Sequence, residues 1–162
     1  GVRDKEAGGG GEAEVRIVEG NLWRVPADYR VITTNGDVNR YGLAVMGRGV
    51  ALQAAQSIPG LRHVFGELIR TRGNHVQLII DGIYSFPVKH HWYEQANLML
   101  ISRSVTELCQ VAVALSEKQF VLPLPGTGNG RLSPEAVWPL LEPLPDNVTV
   151  AVLVKALEVK ES

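Results

Sequence analysis

Two glycine-rich segments carry the residues of this chain that are best suited to chemistry. The first glycine loop, residues 42–51 (GLAVMGRGVA), opens a helical pattern, and the second glycine loop, residues 125–131 (PGTGNGR), leads to a helix-capping Ser133. Glycines let backbone N–H groups approach a phosphate closely, and helix N-termini carry partial positive charge. A single segment of this kind is more often a tight turn. Two of them, each after a strand and before a helix, indicate a diphosphate site.

The two common nucleotide-binding motifs do not fit these loops. No Gly-Lys-Ser/Thr follows either run, so the pattern is not a Walker A loop. In the second loop, Gly126 and Gly128 are followed by Gly130, one residue too early for the third glycine of a Rossmann fingerprint.

Alternating strand and helix patterns place the two loops in the fold. Period-two and buried apolar runs predict strands at residues 15–18, 29–34, 76–80, 83–88, 120–124 and 148–154. Apolar spacings of three and four predict helices at residues 49–57, 61–72 and 98–115. A fourth helix is predicted to begin at the Ser133-Pro134-Glu135 cap and to kink at Pro139.

This order predicts an α/β domain with a mixed sheet of about six strands covered by helices on both faces. The Asp81-Gly82 dipeptide between two strands predicts one antiparallel hairpin. Ligands bind such sheets beyond the carboxyl ends of the strands, which points to the loops after Thr34 and Leu124.

Composition and charge exclude several other classes. Hydrophobic residues at 45% and charged residues at 20% are typical of one soluble globular domain. The net charge of −1 provides no global attraction to nucleic acid or an anionic membrane, so a nucleic-acid partner would need a local basic patch. No apolar run approaches the ~20 residues of a membrane span.

The remaining expectations concern the ends of the chain and its setting. Residues 1–13 are small, charged and glycine-rich and are expected to form a flexible tail before a domain at 14–162. Cys109 lies in a helical pattern, which favours a small buried side chain over a nucleophile. We expect a monomer without a signal peptide, located in the cytoplasm or elsewhere inside the cell.

Four motifs resemble one known family. They are Gly20-Asn21-Leu22, residues 45–53 (VMGRGVALQ), residues 86–92 (FPVKHHW) and residues 125–132 (PGTGNGRL). In order and spacing over residues 14–155, the chain resembles the macrodomains, which are three-layer α/β/α domains that bind ADP-ribose. It is most similar to the lysine-dependent subgroup that removes ADP-ribose from DNA bases or carboxylate side chains. That subgroup includes antitoxin macrodomains, and the chain looks closest to stand-alone phage and bacterial members.

The resemblance implies a site without metal or organic cofactor, whose partner is ADP-ribose or an ADP-ribosylated macromolecule. Asn21 would hold the adenine, and the two glycine loops the diphosphate. The implied ligand-binding residues are Asn21, Leu22, Asn35, Gly47, Arg48, Gly49, Val50, Gly126, Thr127, Gly128, Asn129 and Gly130. Asn35 would either bond the distal ribose or cap a turn.

Lys89 is the implied catalytic residue. Its neutral amine would attack the anomeric carbon of the distal ribose and form an imine-type intermediate. Partial burial should lower its pKa enough to supply the neutral form. A solvated lysine or a phosphate ligand is the alternative.

Three departures from the family pattern bear on this mechanism. Asn21 stands where macrodomains usually have Asp, so the contact to adenine lacks charge assistance. The Asn-Ala-Ala-Asn strand end of the larger hydrolase branch is replaced by Thr33-Thr34-Asn35-Gly36-Asp37. The acid of some lysine-dependent relatives falls at Gly130, which favours a non-catalytic ADP-ribose reader as the alternative. A phosphatase for ADP-ribose phosphate is a third hypothesis.

Other polar and aromatic residues have more ordinary interpretations. Asp37 is a conceivable base or a turn residue, and Trp92 and Tyr93 could stack on a base or pack on the fold. The adjacent His90 and His91 have poor geometry for a metal, and His63 and His75 are expected to be structural or solvated. Five arginines would form either a nucleic-acid patch or a solvated helix face: Arg40, Arg48, Arg62, Arg70 and Arg72.

Overall fold

The structure, a computed structural model, describes residues 2–4 and 14–153. Within them, seven strands form one sheet: β1 (Val2–Asp4), β2 (Arg16–Glu19), β3 (Tyr29–Thr34), β4 (Leu78–Ile80), β5 (Ile83–Pro87), β6 (Phe120–Pro123) and β7 (Val148–Val152). The helices are α1 (Gly49–Ser57), α2 (Leu61–Arg72), α3 (Leu98–Ala114) and α4 (Pro134–Val137), followed by a 3₁₀ helix (Trp138–Leu141). None of the helices in this part of the chain is long and apolar enough to span a membrane.

The sheet is mixed, with a parallel centre and antiparallel edges. Its strand order is β1-β2-β7-β6-β3-β5-β4. The neighbouring strands from β2 to β5 pair in parallel, whereas β1 pairs antiparallel with β2 and β4 antiparallel with β5. The β4–β5 connection is the predicted hairpin, and its turn depends on Gly82, which has φ +83°. The carboxyl ends of the five parallel strands therefore meet at one edge.

Two apolar cores hold the helices against opposite faces of the sheet. On β3, Val31 belongs to the core under α3, and Ile32 belongs to the core under α1 and α2. The larger core includes Ile101 and Leu108 of α3, and the other core is centred on Phe65 of α2. Successive strand residues point to opposite faces, so each strand serves both cores. These three layers confirm the predicted fold class.

The fourth helix is shorter than predicted. Ser133 caps it as expected, because its hydroxyl oxygen accepts a hydrogen bond from Ala136 N at 3.3 Å. The α-helix nevertheless ends at Val137 and continues as the 3₁₀ helix that contains Pro139. Proline has no N–H to donate and its ring clashes with the preceding turn, so a tighter helix replaces the expected kinked one.

The expected flexible tail needs one correction. Residues 2–4 form β1, which pairs with β2 in the register Val2–Val18, Arg3–Ile17 and Asp4–Arg16. An edge strand leaves a row of backbone N–H and C=O groups unpaired, and β1 satisfies those of β2. The rest of the tail, residues 1 and 5–13, lies outside the described residues, as does the end of the last predicted strand at Val154.

Helix α2 fixes the path of the chain into the first glycine loop. Gly66 packs directly against the Gly42 carbonyl, where a Cβ atom would overlap that oxygen. Next to this contact, Ala44 N donates to Arg62 O at 2.9 Å and Arg62 Nε donates to Ala44 O at 2.8 Å. The first glycine loop is thus held to a helix of the core before it reaches the site.

Candidate functional site

A cavity of about 620 Å³ lies at the edge where the parallel strands end. It follows the carboxyl ends of β2, β7, β6, β3 and β5 in that order, and both glycine loops line it. All residues predicted for the site line it: Asn21, Leu22, Asn35, Gly47, Arg48, Gly49, Val50, Lys89, Gly126, Thr127, Gly128, Asn129 and Gly130. The structure therefore brings together residues that are far apart in the sequence.

The first glycine loop presents the N-terminus of α1 to the cavity. The N-cap residue Arg48 makes no capping hydrogen bond with its side chain. The first N–H groups of a helix have no partner within the helix, so those of Gly49, Val50 and Ala51 remain available. All three residues line the cavity. This end of α1 is therefore suited to an anionic ligand.

The second glycine loop is a compact turn anchored by its two ends. Leu132 N donates to Gly126 O at 2.9 Å, and Ala96 N donates to Gly130 O at 3.0 Å. Gly126 and Gly130 are buried, whereas the middle of the loop is open to the cavity. In the described part of the chain, the backbone N–H groups of residues 127–130 donate to no acceptor. They form a cluster of donors that a phosphate could satisfy.

The two glycine loops approach each other across the cavity. A Cβ atom on Gly49 would lie 3.1 Å from Nδ2 of Asn129, and Gly49 has φ +58°, where side chains are strained. Glycine thus allows the start of α1 to approach the second loop closely. A ligand between the loops would meet N–H groups from both sides.

Lys89 lies at the far end of the cavity, after β5. Its Nζ donates to the carbonyl oxygens of Trp92 at 3.3 Å and Asn129 at 3.4 Å. Burial lowers the pKa of Lys89 below its usual value, and the positive charges of Arg131 and Arg48 lower it further, against a smaller opposing effect of Glu94. The environment therefore increases the fraction of neutral amine at this position.

The segment that follows Lys89 is held by Asp37. One carboxylate oxygen of Asp37 lies 2.7 Å from His91 Nδ1, and the other accepts a hydrogen bond from Trp92 N at 2.8 Å. The hydrogen bond with Asp37 raises the pKa of His91. Asp37 does not line the cavity. Of the two predicted interpretations, the structure supports the turn residue, with a role in positioning the lysine segment.

Asn35 links β3 to the first glycine loop. Its Nδ2 donates to Val45 O at 3.0 Å, and its Oδ1 accepts from Asp37 N at 2.9 Å. Asn35 thus caps a turn, one of its two expected roles, while it also lines the cavity. Together with Asp37, it connects the first glycine loop to the segment of Lys89.

Asn21 occupies the opposite end of the cavity, after β2. Its Oδ1 accepts a hydrogen bond from Trp23 N at 2.8 Å, which closes an Asx turn. The Trp23 ring in turn donates from Nε1 to Gln53 Oε1 of α1 at 2.7 Å. The turn after β2 is thereby tied to the helix that carries the first glycine loop.

Similarity to solved structures agrees with this geometry. The macrodomain of Mycobacterium tuberculosis DarG is 28% identical, with a TM-score of 0.67 and coverage of 85% of this chain and 97% of that chain. The macrodomain of Thermus aquaticus DarG is 27% identical, with a TM-score of 0.67 and coverage of 85% and 95%. The chain has the macrodomain fold.

A third similar structure is Thermosipho africanus DarTG in complex with ADP-ribose. It is 18% identical with a TM-score of 0.71, and the match covers 88% of this macrodomain but only 42% of that chain. No protein-family model and no curated protein matches the sequence.

The remaining arginine and aromatic candidates do not form a common cluster in the described part of the chain. Arg62 bonds the main chain, Arg40 contacts Tyr41, and Arg70 pairs with Glu67 at 3.5 Å, so these arginines have local partners. Arg48 alone of the five lines the cavity. Trp92 also lines the cavity and is 51% exposed, and Tyr93 stacks against His91.

Two further candidates, His75 and Cys109, have local partners, and the thiol of Cys109 donates to Pro143 O at 3.3 Å. His75 pairs with Glu107 at 2.8 Å. Cys109 is partly buried, and burial raises the pKa of its thiol, which disfavours a nucleophilic thiolate.

Thr34 is among the cavity residues that sequence patterns did not assign to the site. Thr34 ends the central strand β3, lines the cavity, and is 5% exposed. Its hydroxyl has no hydrogen-bond partner among the described residues. A buried hydroxyl without a partner is costly, so a ligand atom or water is its natural partner. Its position just before Asn35 was the available signal.

Gly130 of this macrodomain excludes every side chain, including the acid of some relatives. A Cβ atom there would lie 2.5 Å from Gly126 O and 2.7 Å from Ala96 Cβ. At Gly128, by contrast, a Cβ atom would have no neighbouring atom within 4 Å. The second loop therefore tolerates a side chain at its centre and not at its end.

Alanine should destabilise the protein at Gly130 but not at Gly128. Gly130→Ala should lower the free energy of unfolding by about 2 kcal/mol or more, because backbone must move. Gly128→Ala is the matched control and should change it by less than about 0.5 kcal/mol. Urea unfolding followed by tryptophan fluorescence measures both values. Equal stabilities of the two variants would contradict the packing described here.

Proposed function

We propose that this macrodomain binds ADP-ribose in the cavity and removes it from a modified macromolecule, such as a DNA base or a carboxylate side chain. The observation that carries the binding proposal is the pair of facing glycine loops. Their unpaired N–H groups and the uncapped end of α1 provide many donors and little negative charge. A diphosphate matches this arrangement better than a single phosphate, because two loops contribute.

The length of the site also favours a ligand with groups on both sides of its diphosphate. Adjacent strands lie about 4.8 Å apart, so the ends of β2 and β5 are separated by on the order of 19 Å. The second glycine loop follows β6, which lies between them. A diphosphate held there would extend toward Asn21 on one side and Lys89 on the other.

The comparisons support ADP-ribose as that ligand. The two DarG macrodomains match almost their full length to this chain, and the DarTG structure of the same fold holds ADP-ribose. With the diphosphate between the loops, the distal ribose would lie near Lys89.

For hydrolysis, we propose Lys89 as the nucleophile. Its neutral amine would form a bond to the anomeric carbon while the bond to the macromolecule breaks and the leaving group takes the proton. The resulting glycosylamine would open to an imine, and water would then release ADP-ribose and restore the amine. The lowered pKa of Lys89 supports this role.

A non-catalytic reader is the alternative that one observation favours. Gly130 is closed to any side chain, so the acid of some lysine-dependent relatives cannot be accommodated there. A reader would use the same loops and would not need the amine of Lys89.

ADP-ribose should bind measurably in isothermal titration calorimetry, and AMP much more weakly, because AMP lacks the second phosphate and the distal ribose. Gly128→Val should reduce the affinity for ADP-ribose by at least about tenfold, because Gly128 lines the cavity and the added side chain would compete with the ligand for space there. The melting temperature should be unchanged. Thr106→Val on the exposed side of α3 is the control and should bind like the wild type. Equal affinity for AMP and ADP-ribose would refute the ligand assignment.

The Lys89→Ala variant should distinguish the hydrolase hypothesis from the hypothesis of a non-catalytic reader. On an ADP-ribosylated DNA or protein substrate, release of ADP-ribose should fall by about 10²-fold or more while ADP-ribose affinity is largely kept. Lys89→Arg should fail as well, because guanidinium stays charged. Borohydride should trap ADP-ribose on the wild type and on the control Lys118→Ala, but not on Lys89→Ala. Full turnover by Lys89→Ala would exclude it as the nucleophile.

The rate should rise with pH as Lys89 loses its proton, at a pH below the usual lysine range. Arg131→Gln removes one positive charge that lowers this pKa, so the rise should move to higher pH. Arg72→Gln makes the same charge change at the end of α2 and should leave the profile in place. An identical profile in all three proteins would mean that a group other than Lys89 limits the rate.

A further inference from the structure

The main chain of Lys89 lies just beyond the sheet, where strand pairing has ended. The register of β5 with β3 ends at the pair Pro87–Thr34, and Val88 N still donates to Thr34 O at 2.9 Å. The pairing of β5 with β4 ends earlier in the strand. The position of the Lys89 peptide therefore depends on bonds from outside the sheet.

Asn74 provides such a bond with its side chain. It lies between the end of α2 and the start of β4, and its Nδ2 donates to Lys89 O at 3.0 Å. The next carbonyl, that of His90, accepts instead from a main-chain group, Gly36 N at 3.1 Å. The carbonyl of Lys89 is thus held by a donor that a single substitution can remove.

The surroundings of Asn74 fit this one bond closely. A Cβ atom on Gly36 would lie 2.9 Å from Asn74 Nδ2 and 3.0 Å from His90 O, so glycine allows the amide to approach. The amide orientation is fixed, because only its NH₂ group can donate to Lys89 O. Its Oδ1 is buried and has no donor among the described residues, which is unfavourable. Packing alone therefore does not account for an amide at this position, whereas the bond to Lys89 does.

Helix α3 holds the segment that carries Asn74. Arg103 of α3 donates from Nη2 to Asn74 O. One turn later, Glu107 accepts from Val76 N at 2.9 Å with one carboxylate oxygen, and the other lies 2.8 Å from His75 Nδ1. Three successive residues are thus bonded to a helix of the larger core. The amide that holds Lys89 is therefore fixed relative to that core.

We propose that Asn74 is a positioning residue for Lys89, which holds the lysine main chain so that the amine stays between the carbonyl oxygens of Trp92 and Asn129. Asn74 itself does not line the cavity, and its printed sequence neighbours do not either. Its loss should therefore affect the reaction at Lys89 and not the binding of the diphosphate. This inference rests on the proposed attack by Lys89.

Asn74→Ala removes the donor. The rate of ADP-ribose release from an ADP-ribosylated DNA or protein substrate should fall by about tenfold or more, because a small displacement of a nucleophile is costly. Affinity for ADP-ribose in calorimetry should stay within about twofold of the wild type, since the glycine loops are unchanged. Asn74→Thr should behave in the same way, because threonine is similar in volume but its hydroxyl lies one bond closer to the main chain. Melting curves show whether both variants are folded.

A second measurement does not depend on hydrolysis. Competitive labelling with acetic anhydride over a range of pH, analysed by mass spectrometry with Lys118 as the internal reference, gives the pKa of Lys89. Burial is the main cause of its lowered pKa. A released main chain would let water reach the amine, so the pKa should rise toward its usual value in Asn74→Ala and Asn74→Thr. Neither substitution changes a charge, and a loss of global stability alone would not move this pKa.

Gln77→Ala is the matched control. The Gln77 side-chain amide also donates to a main-chain carbonyl of the segment between α2 and β4, from Nε2 to Gly73 O at 3.0 Å. Its amide makes no hydrogen bond to the Lys89 segment in the described part of the chain. Gln77→Ala should therefore keep the wild-type release rate and the wild-type pKa of Lys89.

The outcomes separate this inference from the proposed function. An unchanged pKa of Lys89 in both Asn74 variants, or an unchanged release rate where the wild type is active, would overturn the role of Asn74. Equal changes in Gln77→Ala would attribute the effect to a general loosening of the segment and would also overturn it. If the wild type binds ADP-ribose but releases none, the proposed hydrolysis fails, and the labelling still decides whether Asn74 positions the amine.

Discussion

The parallel pairing of five strands is the constraint on which the whole site depends. Thr34 of β3 ends opposite Pro87 of β5, and Glu19 of β2 ends opposite Val152 of β7. These aligned ends bring loops from distant parts of the chain to one edge. Both faces of the sheet are buried, so a shift by one residue would exchange the two cores. The packing that stabilises the fold thus also sets the register of the site.

The proposed binding and the proposed reaction use different parts of the chain. The glycine loops, whose N–H groups at residues 127–130 donate to no acceptor among the described residues, line the centre of the cavity, and the side chains of Asn21 and Lys89 lie at its two ends. Arg48 and Arg131 connect the two: burial is the main cause of the lowered pKa of Lys89, and the positive charge of these arginines lowers it further while it also attracts an anion. The same two positive charges therefore favour an anionic ligand and contribute to the lowered pKa of Lys89.

Polar side chains beside the cavity act mainly on its geometry. Asn35 and Asp37 connect the end of β3 to Val45 of the first glycine loop and to the segment after Lys89. A displacement of either segment would disturb the other through hydrogen bonds of 2.7–3.0 Å. Asn35 and Asp37 are candidates for a ligand-binding residue and a base in the sequence. In the structure they hold the segments of the site in position.

Much of the local structure of this protein could be predicted from the sequence alone. Helices α1 and α2 begin and end where glycine, proline and apolar spacing indicated, and the Asp81-Gly82 turn joins the expected hairpin. These features depend on residues within a few positions of each other, so patterns in the sequence predict them directly. The glycine loops and Lys89 were recognisable from spacing and from family resemblance.

Tertiary structure alone decided how those pieces meet. The strand order, the pairing of β1 with β2, the use of Asp37 as an anchor and the closed position at Gly130 all depend on residues far apart in the chain. The orientation of the Asn21 amide depends on a turn whose geometry no spacing pattern reveals. Such contacts form only when the whole chain packs into one sheet and two cores. They therefore leave no local pattern in the sequence.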